Sequence, residues 1–167
     1  VHKWDISGAR EPGELARLAV DEELPYHRLL NLVYRVIGDG HATVELPDVS
    51  DLRDEEGAVH RGAIFGAADV TNGLAYLGAL GSDAYATGLV VQGAQVQWES
   101  SRPGPVTLQA RLPMTGDDLL ARLRRERRFK MSAVVAATSM DGNRRGTIEF
   151  DYYVRRMVTG QRLRIRS

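Results

Sequence analysis

The chain has 167 residues, the length of one domain and enough to bury a core without covalent staples. Its 22 lysines and arginines offset 22 aspartates and glutamates, and 43% of residues are hydrophobic; this argues against global disorder and leaves no global electrostatic footprint for nucleic acid or membrane. Cysteine is absent, which excludes disulfides, thiolate metal sites and cysteine nucleophiles; residues 1–10 lack the apolar stretch of a signal peptide, so a cytoplasmic protein is expected.

Residues 11–20 have a helical pattern, with Leu15, Leu18 and Ala19 on one side, and Pro25 ends that region. Residues 30–37 alternate, placing Leu30, Leu32, Tyr34 and Val36 on one face. Gly38-Asp39-Gly40 signals a turn, and Ala42, Val44 and Leu46 alternate again, so a hairpin is expected. Residues 47–57 are polar and irregular, and their acidic run reads as a solvated loop.

A long helix is expected over residues 61–79. It is rich in small residues, among them Gly62, Gly66, Gly73 and Gly78. Glycines weaken a free helix, but they suit one against which a curled sheet packs closely. Gly81 can close its C-terminal end. The segment 62–80 is the most apolar in the chain, yet Asp69, Thr71 and Asn72 within it are costly in lipid. It therefore reads as a buried core helix, not a membrane span.

Strands dominate the rest. Leu89 and Val91 fall in one phase and Ala94, Val96 and Trp98 in the other, so a β-bulge is expected near Gly93. Residues 102–105 turn the chain into a strand carrying Val106, Leu108, Ala110 and Leu112. Thr115 caps a short helix that has Asp117 and Asp118 at its positive end and Leu119, Leu120 and Leu123 on its apolar face. Phe129, Met131, Ala133, Val135 and Ala137 form the next strand. After a turn at Asp141-Gly142, Ile148, Phe150, Tyr152 and Val154 form the last. Residues 161–167, with three arginines, read as a frayed or surface tail. The pattern is one α+β domain over residues 1–167, its core at about 25–155, with an antiparallel sheet covering one long helix.

Asp69 is the informative residue. A carboxylate amid small apolar residues is expensive to bury unpaired, at roughly 3–5 kcal/mol. It is either a structural group bonded to nearby backbone or to Asn72 one turn later, or a functional acid with a perturbed ionisation. Around it runs Asp54, two residues, Gly57, two residues, His60-Arg61-Gly62, and then Asp69 nine positions after His60. This arrangement resembles the PaaI-type thioesterases of the hotdog superfamily. Their pattern is Asn, two residues, Gly, two residues, His-Gly-Gly, and an Asp nine positions after the His. Gln97-Trp98 followed by Gly104-Pro105-Val106 is similar to the family's third-strand region, and the resemblance covers about residues 25–155.

The resemblance implies a hotdog fold and hydrolysis of an acyl-CoA thioester, with coenzyme A entering only as part of the substrate. It makes Asp69 the catalytic base or nucleophile, the Arg61 N–H the oxyanion donor and His60 the residue that shapes the turn. Arg61 and Asp69 are eight residues apart, so about 12 Å along one helix, and cannot both reach one carbonyl. Two copies of the helix packed antiparallel about a two-fold axis would form composite sites, so a dimer or dimer of dimers is expected. Gly62 permits close approach of the thioester; Asn72 and Trp98 join His60 and Gly62 as candidate substrate contacts. Two departures stand out. Arg61 replaces a glycine, putting a cation at the mouth, and Asp54 replaces an asparagine, turning a donor into an acceptor. Asp54 is read as a water-positioning or acid partner.

Arg122, Arg124, Arg125, Arg127, Arg128 and Lys130 suit either a phosphate clamp or, more simply, a solvated helix end. Trp98 is in phase with Val96 and so reads first as core. His27 and His41 lack ligand-like spacing, and no metal site is proposed. No serine nucleophile elbow is present, and Gly38-Asp39-Gly40 precedes no helix, so it is no nucleotide fingerprint. A non-catalytic acyl-thioester binder or assembly subunit is the second reading. A hotdog dehydratase or hydratase ranks last, because no histidine follows Asp69 on its helix.

Overall fold

The structure is a computed structural model that describes Glu14 and residues 25–157. Apart from Glu14, the helix expected over 11–20 lies outside the described residues, as does the tail 161–167. Pro25 opens a helix instead of closing one: α1 (Pro25–Leu29) starts on it because a first helical position needs no N–H and suits the fixed φ of proline. The hairpin follows as β1 (Val33–Gly38) and β2 (His41–Leu46). The long helix α2 (Arg61–Leu80) comes next, then β3 (Thr87–Trp98), β4 (Val106–Arg111), α3 (Gly116–Glu126), β5 (Arg128–Ser139) and β6 (Arg144–Arg156).

The strands form one sheet in the order β1-β2-β4-β5-β6-β3, every neighbouring pair antiparallel. The sheet curls about α2, giving the α+β hotdog architecture. Val44, Leu46, Leu108, Val135 and Ile148 turn inward and pack with Ile64, Ala67, Ala68 and Leu74 of the helix in one core. The outward stripe of α2, through Gly62, Gly66, Asp69, Gly73 and Leu77, stays partly or fully exposed. By length and composition α2 passes as a membrane span, but most of it is buried in this core.

Close packing explains two of the helix glycines. A Cβ on Gly78 would collide with the Gly38 carbonyl oxygen, and Tyr26 of α1 lies directly on Gly66. Gly116 at the start of α3 seats in the same way on the Ala79 carbonyl, and its N–H is held by Asp39 Oδ1 at 3.0 Å. Gly73 has nothing within 4 Å. Thr115 caps α3 as expected, its Oγ1 accepting from the Asp118 N–H at 3.2 Å.

Bulges set two phases. In β3 the register shifts between Val91 and Gly93, where the alternation changes. In β1 a shift between Tyr34 and Val36 corrects the single-face reading of that strand. Tyr34 and Ile37 pack against the core, while Val36 is turned out to 46% exposure. The extra residue, Arg35, pairs with Glu45 at 2.8 Å.

Candidate active site

Two groups of polar residues sit on α2, one at its start and one at its middle. At the start, Asp54 Oδ1 accepts the N–H groups of Glu56 and Ala58, both at 3.0 Å. This closes the loop and aims it at the helix, and it occupies one carboxylate oxygen with backbone. His60 is the N-cap, its Nδ1 accepting the Gly62 N–H at 3.0 Å. The Ala63 and Ile64 N–H groups reach the His60 carbonyl, so the Arg61 N–H is left as the first-turn donor with no partner among the described residues. The Arg61 guanidinium lies over the half-buried Trp98 ring, 5.7 Å from its centre. Asp54, Glu55, Glu56, His60, Arg61 and Ser101 line an open cleft of about 560 Å³.

Beneath the loops at this cleft lies Arg145, 1% exposed. Its guanidinium donates to the Arg102 carbonyl, and the charges of Asp54 and Asp48 favour its charged form against the burial that disfavours it. It is bonded to the loop after β3 and lies within charge range of the loop before α2.

Asp69 is half-buried at the middle of α2. Its partner is Tyr152 of β6, whose hydroxyl donates to Oδ1 at a long 3.4 Å. The alternative bond to Asn72 is not formed. Asn72 is fully buried, and neither polar atom of its amide makes a hydrogen bond of ordinary geometry with a described residue. Burial pushes the Asp69 carboxyl above the usual carboxylate range, while Tyr152 and the charge of His27 pull it back. The Tyr152 phenol is pushed well up, first by its own burial and then by the Asp69 charge. His27 reaches this neighbourhood because Gly66 lets its neighbour Tyr26 lie against α2.

Tyr152 stands opposite Val91 in the β6–β3 register, as Phe150 does Ala94 and Ile148 does Val96. Opposite residues share a sheet face, so these β3 residues face the helix side. Yet Val91 and Val96 are 41% and 38% exposed, while Phe150 and Tyr152 are buried. β3 is also a sheet edge. Tyr152, the partner of Asp69, therefore stands next to an uncovered apolar strip at a free strand edge. The structure thus brings Asp54, His60, Arg61, Gly62 and Trp98 together at one end of α2, and Asp69 with Asn72 at its middle. It adds Tyr152 and Arg145, which sequence reading did not single out, and His27, which was weighed there only as a metal ligand.

The basic run is mostly the C-terminal end of α3 and the start of β5. Arg122 pairs with Glu126 at 3.1 Å and lies 4.2 Å from the centre of the Phe129 ring, while Arg124 and Arg125 occupy the last turn, where cations suit the negative helix terminus.

A family model described as Domain of unknown function (DUF4442) matches residues 13–154. The chain belongs to the DUF4442 family. No curated protein matches this DUF4442 protein, but many solved structures do. PA5026 of Pseudomonas aeruginosa, a probable thioesterase, is 18% identical with a TM-score of 0.74, over 86% of this chain and 95% of that one. The E. coli PaaI protein from the phenylacetic acid degradation operon is 11% identical with a TM-score of 0.66, over 88% and 94%. A hypothetical thioesterase from Streptococcus pneumoniae, solved with coenzyme A, is 17% identical with a TM-score of 0.59, over 77% and 89%. At these identities the likeness is one of fold, and the DUF4442 chain has the hotdog fold of PaaI-type thioesterases.

Proposed function

We propose that this DUF4442 protein hydrolyses an acyl-CoA thioester at sites shared between two copies of the chain. The observation that carries the reading is the half-exposed Asp69 carboxylate, whose partner Tyr152 borders the uncovered inner strip of β3. A second copy docked on that edge brings its own α2 across the first. Its Arg61 N–H then stands opposite Asp69, a distance one helix cannot close, since eight residues span about 12 Å. The coenzyme A bound to the Streptococcus pneumoniae structure supports the substrate class.

In this site Asp69 takes a proton from water as the water oxygen bonds to the thioester carbon. The negative charge that develops on the carbonyl oxygen is met by the Arg61 N–H at the helix start. Collapse breaks the C–S bond, and the proton goes to the departing thiolate. Direct attack by Asp69, through an anhydride, uses the same placement. His60 holds the first turn open by capping Gly62. Three carboxylates at the cleft mouth, Asp54, Glu55 and Glu56, repel nucleotide phosphates, so the uncharged acyl-thioester end is the part that enters.

The test is thiol release across a panel of aliphatic and aromatic acyl-CoAs, with wild type and Asp69→Asn. Turnover in wild type and a loss of at least about a hundredfold in Asp69→Asn is the expected result. Full activity in the variant removes Asp69 from the mechanism. One observation favours a second reading, a binder without turnover: an arginine stands at the mouth where the thioesterase pattern has glycine. Calorimetric binding of acyl-CoA by wild type with no thiol release selects that reading.

A further inference from the structure

Asn72 lies one helical turn past Asp69 and is 0% exposed, yet its amide nitrogen and oxygen both lack an ordinary hydrogen bond to a described residue. Buried carboxamides are nearly always satisfied, by protein or by an ordered water with two or more polar partners. The polar groups beside it belong to Tyr152 and Asp69. Their shared hydrogen bond is long at 3.4 Å. The amide also lies close enough to the Tyr152 hydroxyl to favour its ionised form. Tyr152 is 2% exposed, so bulk solvent does not serve its oxygen.

We propose that Tyr152 is a positioning residue for Asp69, and that Asn72 sets Tyr152 through its amide beside the phenol. This rests on Asp69 being the hydrolytic carboxylate. The phenol oxygen accepts from the Asn72 side, which directs its proton to Asp69 Oδ1 and strengthens that donation. Donation pins Oδ1 and favours the ionised acid. The other oxygen is left for the water that attacks. The groups acting on Asp69 are His27 from α1 and Tyr152 from β6, and Asn72 of its own helix acts on Tyr152. Protonated His27 favours the same charged state, so the test includes its removal.

Two readouts are taken on Tyr152→Phe, Asn72→Leu and the double variant, each also in a His27→Gln background. One is the NMR titration of the Asp69 carboxyl carbon, which needs no substrate; the other is the pH profile of kcat/KM for thiol release. Tyr152→Phe is expected to move the Asp69 midpoint and the acid limb upward by about one pH unit, with KM unchanged and turnover on the acid side about tenfold lower. Asn72→Leu moves both in the same direction, and the double variant moves them no further than Tyr152→Phe. Asn72→Ala replaces the leucine variant if that one does not fold. An unmoved Asp69 midpoint in Tyr152→Phe overturns the proposal. A shift there without one in either Asn72 variant overturns the role of Asn72. A wild type that releases no thiol while the midpoints still shift removes the hydrolytic reading and leaves the coupling of Tyr152 to Asp69 in place.

Discussion

Asp69 carries its charge in a half-buried setting, with one long hydrogen bond as its direct support. Its folded pKa lies above the ordinary value, chiefly through burial. The folded state therefore holds the proton more tightly than the unfolded chain. The stability tied to this group is greatest below its unfolded pKa of about 4, and it falls as pH rises through the folded value. Asp69→Asn is expected to melt at a higher temperature than wild type at neutral pH, with the gap narrowing toward acid; thermal melts over a pH series measure it. A variant equal to wild type throughout would mean that the carboxylate is not strained. The sequence marks Asp69 because a charge amid small apolar residues has few bland explanations. His60 and Asp54 are legible for a related reason, since caps and loop-closing carboxylates act within a few residues. Tyr152 is not legible, lying 83 residues from Asp69 in a strand where a tyrosine reads as core. Arg145 is equally hidden, because only the folded loops give a buried guanidinium its carbonyl and acidic neighbours.

Among the elements, α2 shows how composition foretold packing. Its glycines were costly for a free helix and sensible only under close approach. Gly78 and Gly66 meet that expectation, while Gly73 faces open space in the single chain. Gly78→Ala is expected to cost about 2–3 kcal/mol, since the added methyl meets the backbone of β1 and no flexible side chain there can yield. Gly116→Ala, against the Ala79 carbonyl, is expected to behave alike; urea unfolding compares both with wild type. The bulge at Gly93 could be read because the hydrophobic phase changes across it. The one at Arg35 could not, because Tyr34 and Val36 put a hydrophobic residue on each side of the shift and the alternation looks unbroken. The α1 helix escaped for another reason: a proline signals a boundary equally well from either side.

At the scale of the whole molecule, the uncovered strip on β3 is where the proposed second copy would dock. Val96 faces the helix side at the free edge, and a lysine there places a charge where the second copy would sit, a common way of blunting an edge. Val96→Lys is expected to sediment as a monomer at concentrations where wild type is a dimer or larger. It also loses thiol release by at least about a hundredfold, because half of each site has left. A wild type that sediments as a monomer while fully active ends the shared-site reading. The order of elements made the fold legible; the pairing of copies, expected from the eight-residue spacing of Arg61 and Asp69, is what the sedimentation experiment tests. The seats of Gly78 and Gly116 then acquire a meaning beyond stability. Both lie at the far end of a rod from the amide at its tip, some seventeen residues or about 26 Å away. In the proposed pair of copies a slight tilt forced there would swing the tip, and the two-fold axis would make both tips swing together. In that proposed pair, the alignment of acid and amide would be governed from the end of the helix where no chemistry occurs.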